Sequence, residues 1–99
     1  MAKIGVVLAT YNGEKFLSEM LSSLVMQTRP ANIIFVLDDA SSDSSVQIVE
    51  NFSSKHPIKL WKNSINTGHR AAFSKILEIA RAELLPSDLI ALADQDDIW

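Results

Sequence analysis

The sequence predicts an α/β fold built on a parallel sheet, and three observations support this class. Short apolar runs of strand length alternate with amphipathic helical stretches along the whole chain, as strands joined by crossover helices do. Most of the apolar runs lack polar alternation, which is typical of strands covered on both faces. Aspartate-rich segments follow two of the runs, at the strand ends where open parallel sheets bind ligands.

Four runs have strand length and β-branched content: residues 4–9, 33–37, 58–61 and 89–93. The first, second and fourth are apolar throughout and are predicted to be central strands. The third run is flanked and interrupted by Lys59 and Lys62. Charged side chains protect an exposed strand from pairing with another sheet, so this run is expected at an edge.

Three helical patterns lie between the strands, over residues 14–26, from about residue 43 to before His56-Pro57, and over about residues 68–84. Asn12 is expected to cap the first helix. Apolar residues recur at helical spacing in each pattern and are interpreted as core packing. The residues expected to face the core are Phe16, Leu17, Met20, Leu21, Leu24, Val25, Val46, Val49, Phe52, Phe73, Ile76, Leu77 and Ala80.

Composition narrows the classes of partner and location. A chain of 99 residues with 47% apolar residues is expected to form one domain, residues 1–99. Its net charge of -3 provides no general attraction to nucleic acid, and the lack of cysteine excludes disulfides. Neither a signal peptide nor a membrane-length apolar run is found in the sequence. We therefore expect a cytoplasmic protein, including one peripheral to the inner face of the membrane, with no nucleic-acid partner.

The fourth strand is followed only by a polar loop and the end of the chain at Trp99. An α/β domain normally covers such a strand with a further helix, so the chain is interpreted as a fragment truncated after this strand. Leu92, Ile98 and Trp99 are expected to leave an apolar edge that favours self-association.

Six of the seven aspartates fall in two clusters at predicted strand ends, namely Asp38, Asp39 and Asp43, then Asp94, Asp96 and Asp97. If the fourth strand returns beside the first, the strand order is 3-2-1-4 and the switch point lies between strands one and four. Ala9, Thr10 and Tyr11 would then face the second cluster across one crevice. Asp38 and Asp39 would lie on the next strand.

Each cluster also has a structural interpretation. Ser41, Ser42 and Asp43 are expected mainly to cap the second helix, which does not account for two aspartates ending an apolar strand. The second cluster packs three carboxylates into four residues, and such charges repel unless a cation relieves them. Oxygen ligands without nearby His or Cys favour Mg²⁺ or Mn²⁺. We therefore predict a divalent metal at Asp94, Asp96 and Asp97.

A metal in the crevice would allow it to bind a diphosphate. Neither a Walker sequence nor a G-x-G-x-x-G motif is present. A nucleotide would therefore be held by carboxylates on its ribose or base, by Tyr11 against the base and by the metal on the diphosphate. Arg70, near the start of the third helix, is a candidate phosphate contact, and an ordinary solvated helix residue is the open alternative.

Four segments in order, VVLATYNGEKFLSEMLSSLVMQT, VLDDASSDSSVQIV, NTG and ALADQDDIW, closely resemble the N-terminal half of family 2 glycosyltransferases. Within that family they are most similar to rhamnosyltransferase-type and other bacterial surface-polysaccharide enzymes. The resemblance covers essentially the whole chain. It implies a GT-A fold and inverting transfer of a sugar from a UDP- or dTDP-linked donor to a glycan or lipid-linked acceptor.

The resemblance also implies roles for individual residues. Ala9 and Tyr11 would contact the base, and Asp39, supported by Asp38, would hold the base or ribose. Asp94 and Asp96 match the D-x-D motif, with Asp94 also near the nucleotide, and Asp97 is the adjacent acid. The catalytic base of the family would lie beyond residue 99, so the chain alone is expected to be inactive.

Two positions depart from the family pattern: Ala40 stands where many relatives have Gly, and Ala72 where many have Asn. Ala40 is expected to change the turn after the second strand, and Ala72 to remove a polar contact near the donor sugar. Two other classes of protein are the alternatives. One is a non-catalytic nucleotide- or metal-binding domain. The other is a phosphoacceptor receiver domain, which would need acids after the first strand.

Overall fold

The computed structural model describes residues 4–26, 33–84 and 88–93 and shows the predicted alternation of strands and helices. The strands are β1 (Ile4–Thr10), β2 (Ile33–Asp38), β3 (Ile58–Lys62) and β4 (Leu89–Ala93). The helices are α1 (Glu14–Val25), α2 (Ser45–Ser53) and α3 (His69–Glu83). All four strands start where the sequence predicts. The first three extend one residue beyond the predicted end, and β4 ends where predicted.

The strands form one parallel sheet in the order β3-β2-β1-β4, as predicted. Thr10 at the end of β1 is opposite Asp38 at the end of β2. On the other side of β1, Leu8 is opposite Ala93. The β3 strand lies at an edge, where Lys59 and Lys62 are exposed, which confirms the interpretation of its charged residues.

Helices cover both faces of the sheet, because successive side chains of each strand point to opposite sides. One buried cluster joins α1 and α2 to the sheet: Val6, Leu8, Leu17, Leu21, Ile34, Val36, Val49 and Ile58. The other joins α3 to the sheet: Val7, Ala9, Phe35, Leu37, Ala72, Ile76 and Ala80. This arrangement leaves the carboxyl ends of the strands as the polar rim of the domain.

Two predictions about α1 are wrong. The residue before the helix is Gly13, which has no side chain with which to cap it. Asn12 instead adopts a left-handed backbone with φ of 48° and accepts a hydrogen bond from the Ser42 backbone N–H. Phe16 was expected in the core but is 41% exposed, because the buried face of α1 is centred on Leu17 and Leu21 and Phe16 lies at its margin.

The prediction of an apolar edge falls largely outside the described residues. The side chains of Leu92, Ile98 and Trp99 are not among those that the structure describes, nor is that of Val25, so self-association stays a prediction. Within residues 4–26, 33–84 and 88–93, no helix has the length and apolar character needed to span a bilayer.

Candidate functional site

The polar ends of β1 and β2 meet at the rim of the sheet. The Asp39 backbone N–H donates a hydrogen bond to the Thr10 carbonyl oxygen at 2.9 Å. Thr10, Asp38 and Asp39 are all buried, at 0%, 1% and 0% exposure. Buried polar groups need hydrogen-bond partners, so these three residues must be hydrogen-bonded within the rim.

The Asp39 carboxylate is surrounded by donors from the segment 63–68. It accepts hydrogen bonds from the Asn63 Nδ2 group at 2.8 Å, from the Thr67 backbone N–H at 2.9 Å and hydroxyl at 2.8 Å, and from the Gly68 backbone N–H at 2.9 Å. A carboxylate has about four acceptor positions, so these four donors saturate it. Burial alone would raise the pKa of Asp39, but the hydrogen bonds from Asn63, Thr67 and Gly68 outweigh it and lower that pKa.

Asp39 also stabilises the start of α3. The helix begins after Gly68, whose φ of 93° is a backbone conformation that favours glycine. No side chain from the helix's own N-cap residue binds its backbone. The distant Asp39 carboxylate instead binds the two amides that lead into the helix, where a negative charge is favoured by the helix dipole.

Asp38 organises the turn that follows β2. Its carboxylate accepts hydrogen bonds from the Ser41 backbone N–H at 2.9 Å and from the Ser41 hydroxyl at 2.6 Å. Between them Ala40 has a φ of 65°, in the left-handed region that L-residues other than Asn and Asp rarely adopt. The turn predicted to be altered at Ala40 therefore carries backbone strain at that residue.

The turn after β2 is hydrogen-bonded to the loop after β1. The Gly13 backbone N–H donates to the Ser45 hydroxyl at 2.9 Å, and the Glu14 backbone N–H donates to the Asp43 carboxylate at 3.2 Å. In return the Ser44 backbone N–H donates to the Glu14 carboxylate at 3.1 Å. The N-termini of α1 and α2 thus bind each other reciprocally, which fixes both loops at the rim.

Capping in this turn is confirmed for Asp43, which accepts a hydrogen bond from the Ser45 backbone N–H at 2.9 Å. Burial opposes ionisation, but hydrogen bonds from Ser45 and from the Glu14 backbone lower the pKa of Asp43. The capping prediction is wrong for Ser41 and Ser42. Their hydrogen bonds go to Asp38 and Asn12 rather than to α2.

The other predicted contacts lie around the same rim. Ala9 is buried beneath α3, and Tyr11 follows β1 directly and is half-buried. Arg70 is the second residue of α3 and is exposed. Ala72 is fully buried in the cluster between α3 and the sheet. Alanine in place of asparagine at this position therefore affects the packing beneath α3.

The residues of this rim that were not predicted as site residues include Asn63, Thr67, Gly68 and Ser45. Asn63 directly follows β3, so the rule that located the aspartates, a polar residue at the carboxyl end of a strand, also applies to it. Thr67 and Gly68 precede a helix, where residues of these types commonly satisfy free backbone amides. Ser45 has no comparable signal, because a serine at a helix start ordinarily caps its own helix.

The predicted metal ligands Asp94, Asp96 and Asp97 lie outside the described residues. Ala93, the last described residue before them, is opposite Leu8 in β1. Within the described part of the chain, no group of three or more His, Cys, Asp or Glu side chains could hold a metal. The metal at Asp94, Asp96 and Asp97 stays a prediction.

Comparison with known proteins shows a family and several relatives to which the chain is similar. Residues 5–99 match the family model described as Glycosyl transferase family 2. The chain is 39% identical over 70 residues to the poly(ribitol-phosphate) beta-N-acetylglucosaminyltransferase TarS of Staphylococcus aureus, covering 69% of this chain and 12% of that protein. It is 37% identical over 93 residues to the dTDP-rhamnosyl transferase RfbG of Shigella flexneri, covering 93% of this chain and 32% of that protein.

A solved structure shares the fold. The crystal structure of S. aureus TarS 1-349 in complex with UDP-GlcNAc matches with a TM-score of 0.80 and 30% sequence identity. The match covers 95% of this chain and 26% of the TarS chain. The chain therefore spans between 12% and 32% of the length of the proteins it matches here.

Proposed function

The chain belongs to glycosyl transferase family 2 and has the GT-A fold, and on that premise we propose that it is the donor-binding part of an enzyme that transfers a sugar from a nucleotide-diphosphate sugar to an acceptor hydroxyl. The observation that carries this proposal is the junction of Thr10, Asp38 and Asp39 at one rim of the sheet. RfbG is named a dTDP-rhamnosyl transferase, and TarS was crystallised with UDP-GlcNAc. These relatives support a UDP- or dTDP-linked donor.

The nucleotide would bind along the ends of β1 and β2. Tyr11 supplies an aromatic surface for the base next to the strand end, and Asp38 and Asp39 supply the fixed polar groups. Ala9 is 2% exposed with its side chain under α3, so its contact with the base would use the backbone. The Thr10 carbonyl oxygen accepts a hydrogen bond from the Asp39 backbone N–H and so connects the end of β1 to the acids after β2.

Asp39 can bind a nucleotide only by exchanging one of its present donors, because its acceptor positions are filled. The Thr67 hydroxyl is the donor that leaves most easily, since Thr67 is exposed and its side chain can rotate without movement of the backbone. A ribose hydroxyl or a base N–H would take its place. The Thr67 and Gly68 backbone amides would keep the carboxylate in position.

The diphosphate would be bound by positive charge at one side of the site. Asp39 already occupies the amides that lead into α3, so Arg70 would act through its exposed guanidinium, which pairs well with phosphate oxygens. The carboxylates described at the rim repel a negatively charged diphosphate, so a positive charge is needed to bind it.

We further propose that Asp94, Asp96 and Asp97 hold Mg²⁺ or Mn²⁺. Their donor set fits, because it consists of oxygen atoms in a chain without cysteine. When bound, such an ion neutralises charge that develops on the leaving diphosphate. Ala93, the last described residue before this segment, pairs with Leu8 of β1, the strand that ends at Thr10.

The proposed reaction is a single displacement at the anomeric carbon, with inversion. A base on a segment beyond residue 99 would deprotonate the acceptor hydroxyl, and the acceptor would be a glycan or a lipid-linked sugar of a bacterial polysaccharide. The proposed location is the cytoplasm, including the inner face of the membrane.

A panel of nucleotides tests the donor site. UDP, dTDP and GDP are titrated into the protein with Mn²⁺ by isothermal calorimetry, with E78Q as a control because Glu78 is exposed on α3. We expect UDP or dTDP to bind at one site per chain, and the control to bind equally well. Absence of binding by all three nucleotides would contradict the proposal.

A further inference from the structure

We propose that Lys75 orients Asn63 and that Asn63 holds the Asp39 carboxylate where it contacts the nucleotide, so that both are positioning residues of the donor site. The inference rests on the proposed function for the identity of the ligand, but not for the arrangement of the three side chains. It extends the site from the strand ends to the exposed face of α3.

The three side chains form a continuous chain of hydrogen bonds. The Lys75 Nζ group donates to the Asn63 Oδ1 atom at 2.7 Å. The Asn63 Nδ2 group donates in turn to the Asp39 Oδ1 atom at 2.8 Å. Both distances are short for bonds of their type, as expected where one partner is charged.

The chemistry of the two outer groups fixes the direction of the Asn63 amide. An ammonium group can only donate hydrogen bonds, and an ionised carboxylate can only accept them. With Lys75 on one side and Asp39 on the other, the amide oxygen must face Lys75 and the NH₂ group must face Asp39. A rotated amide would place donor against donor and acceptor against acceptor.

The backbone of Asn63 is held as firmly as its side chain. Its N–H donates to the Asp38 carbonyl oxygen at 2.8 Å, and it follows the last residue of β3. Asn63 therefore connects β2, β3 and α3 beside the acid that is proposed to bind the nucleotide. Without Lys75 the amide oxygen would lose its described hydrogen-bond donor, and Asp39 alone would hold the amide in this orientation.

A role in positioning can be separated from a role in stability. Lys75 is exposed, and hydrogen bonds and ion pairs at exposed lysines contribute little to folding. Loss of Lys75 should thus leave stability nearly unchanged while it disturbs the Asp39 site. The matched control is Lys59, an exposed lysine of β3 whose ammonium contacts Glu83 away from this rim.

The experiment compares K75M, K75R and K59M with the parent protein. Nuclear magnetic resonance without nucleotide reports the Asn63 side-chain NH₂ signals and the Thr67 and Gly68 backbone amide protons, and calorimetry reports the Kd for UDP with Mn²⁺. We expect K75M to shift the Asn63 signals and to weaken UDP binding roughly threefold to tenfold. K75R, which can still donate to the Asn63 oxygen, should restore both readouts, and K59M should change neither.

The outcomes separate this inference from the proposed function. If the parent protein fails to bind UDP, the donor proposal loses its support, and the amide signals without nucleotide still decide whether Lys75 orients Asn63. If K75M leaves the Asn63 signals unchanged, the inference is overturned. It is equally overturned if K75M binds UDP as the parent does, or if K75R fails to restore binding.

Discussion

The Asp39 carboxylate accepts a hydrogen bond at 2.9 Å from the backbone N–H of Gly68, which lies 29 residues later in the chain. The contact joins the end of β2 to the start of α3. Asp39 is predicted from the sequence as a ligand contact. In the structure it caps a helix from a distance. The same carboxylate therefore links the stability of the fold to the geometry of the proposed donor site.

Replacing Asp39 with Asn should destabilise the protein. Asn keeps the size of the side chain but turns one acceptor oxygen into a donor, which then faces other donors such as the Gly68 amide. Leaving buried groups unsatisfied in this way costs about 2–3 kcal/mol. Urea denaturation at pH 7 should show that loss for D39N, and less than about 0.5 kcal/mol for the exposed control E78Q. Equal midpoints for the two variants would contradict the account of the Asp39 contacts.

The free energy of unfolding should fall in acid because Asp39 and Asp43 have lowered pKa values in the folded protein. In the unfolded chain their pKa is about 3.9. The unfolded state then binds more protons between the two values, so stability rises with pH in that window. Their contribution is complete above the unfolded pKa and is lost as the pH falls through the folded values.

Denaturation curves at several pH values between about 3 and 6 test this dependence. The parent protein should lose stability below about pH 4, and D39N should lose less, because one of the two groups no longer titrates. A D39N variant that loses as much stability in acid as the parent would show that Asp39 does not contribute to the pH dependence of stability.

The Thr67 hydroxyl should compete with the nucleotide for Asp39. T67V removes the hydroxyl bond to the Asp39 Oδ1 atom but keeps the shape of the side chain and the backbone amide. UDP binding should therefore tighten about threefold, whereas T67S, which keeps the hydroxyl, should match the parent. Weaker binding by T67V in calorimetry would show that the hydroxyl supports the site instead of occupying it.

Replacing Ala40 with Gly should stabilise the protein. Ala40 has a φ of 65°, where an L-residue is strained and glycine is not. Relief of this strain outweighs the conformational entropy that glycine adds to the unfolded chain. The free energy of unfolding should therefore rise by about 0.5–1 kcal/mol. Thermal denaturation should show it, and the helical control A82G should instead lose up to about 1 kcal/mol. A destabilised A40G would contradict the strain at this turn.

The sheet could be predicted from the sequence because its signals are local or follow from topology. Runs such as residues 33–37 are apolar on both faces, and the lysines of β3 marked an edge. The strand order followed from the argument that acids on separate strands share a ligand only if β1 and β4 are neighbours. Parallel pairing of β1 with both β2 and β4 then brought Thr10 and Asp38 together.

The contacts within the site could not be predicted, because they join residues about thirty positions apart through side-chain geometry. Asn12 looked like a local helix cap, but its oxygen binds the Ser42 backbone. Asp39 looked free for a ligand, but the segment 63–68 fills its acceptor positions. Short polar side chains can serve any nearby amide, so sequence spacing alone does not identify their partners.

The coupling between metal and nucleotide tests the central claim most directly. UDP is titrated with and without Mn²⁺ into the parent protein, into D96N/D97N, and into E19Q/E78Q, a control that removes two exposed acids elsewhere. Because the diphosphate supplies ligands to the ion, Mn²⁺ should raise the UDP affinity about tenfold or more in the parent and the control. This enhancement should be absent in D96N/D97N. Equal enhancement in all three proteins would contradict the assignment of a metal-assisted donor site to this acidic segment.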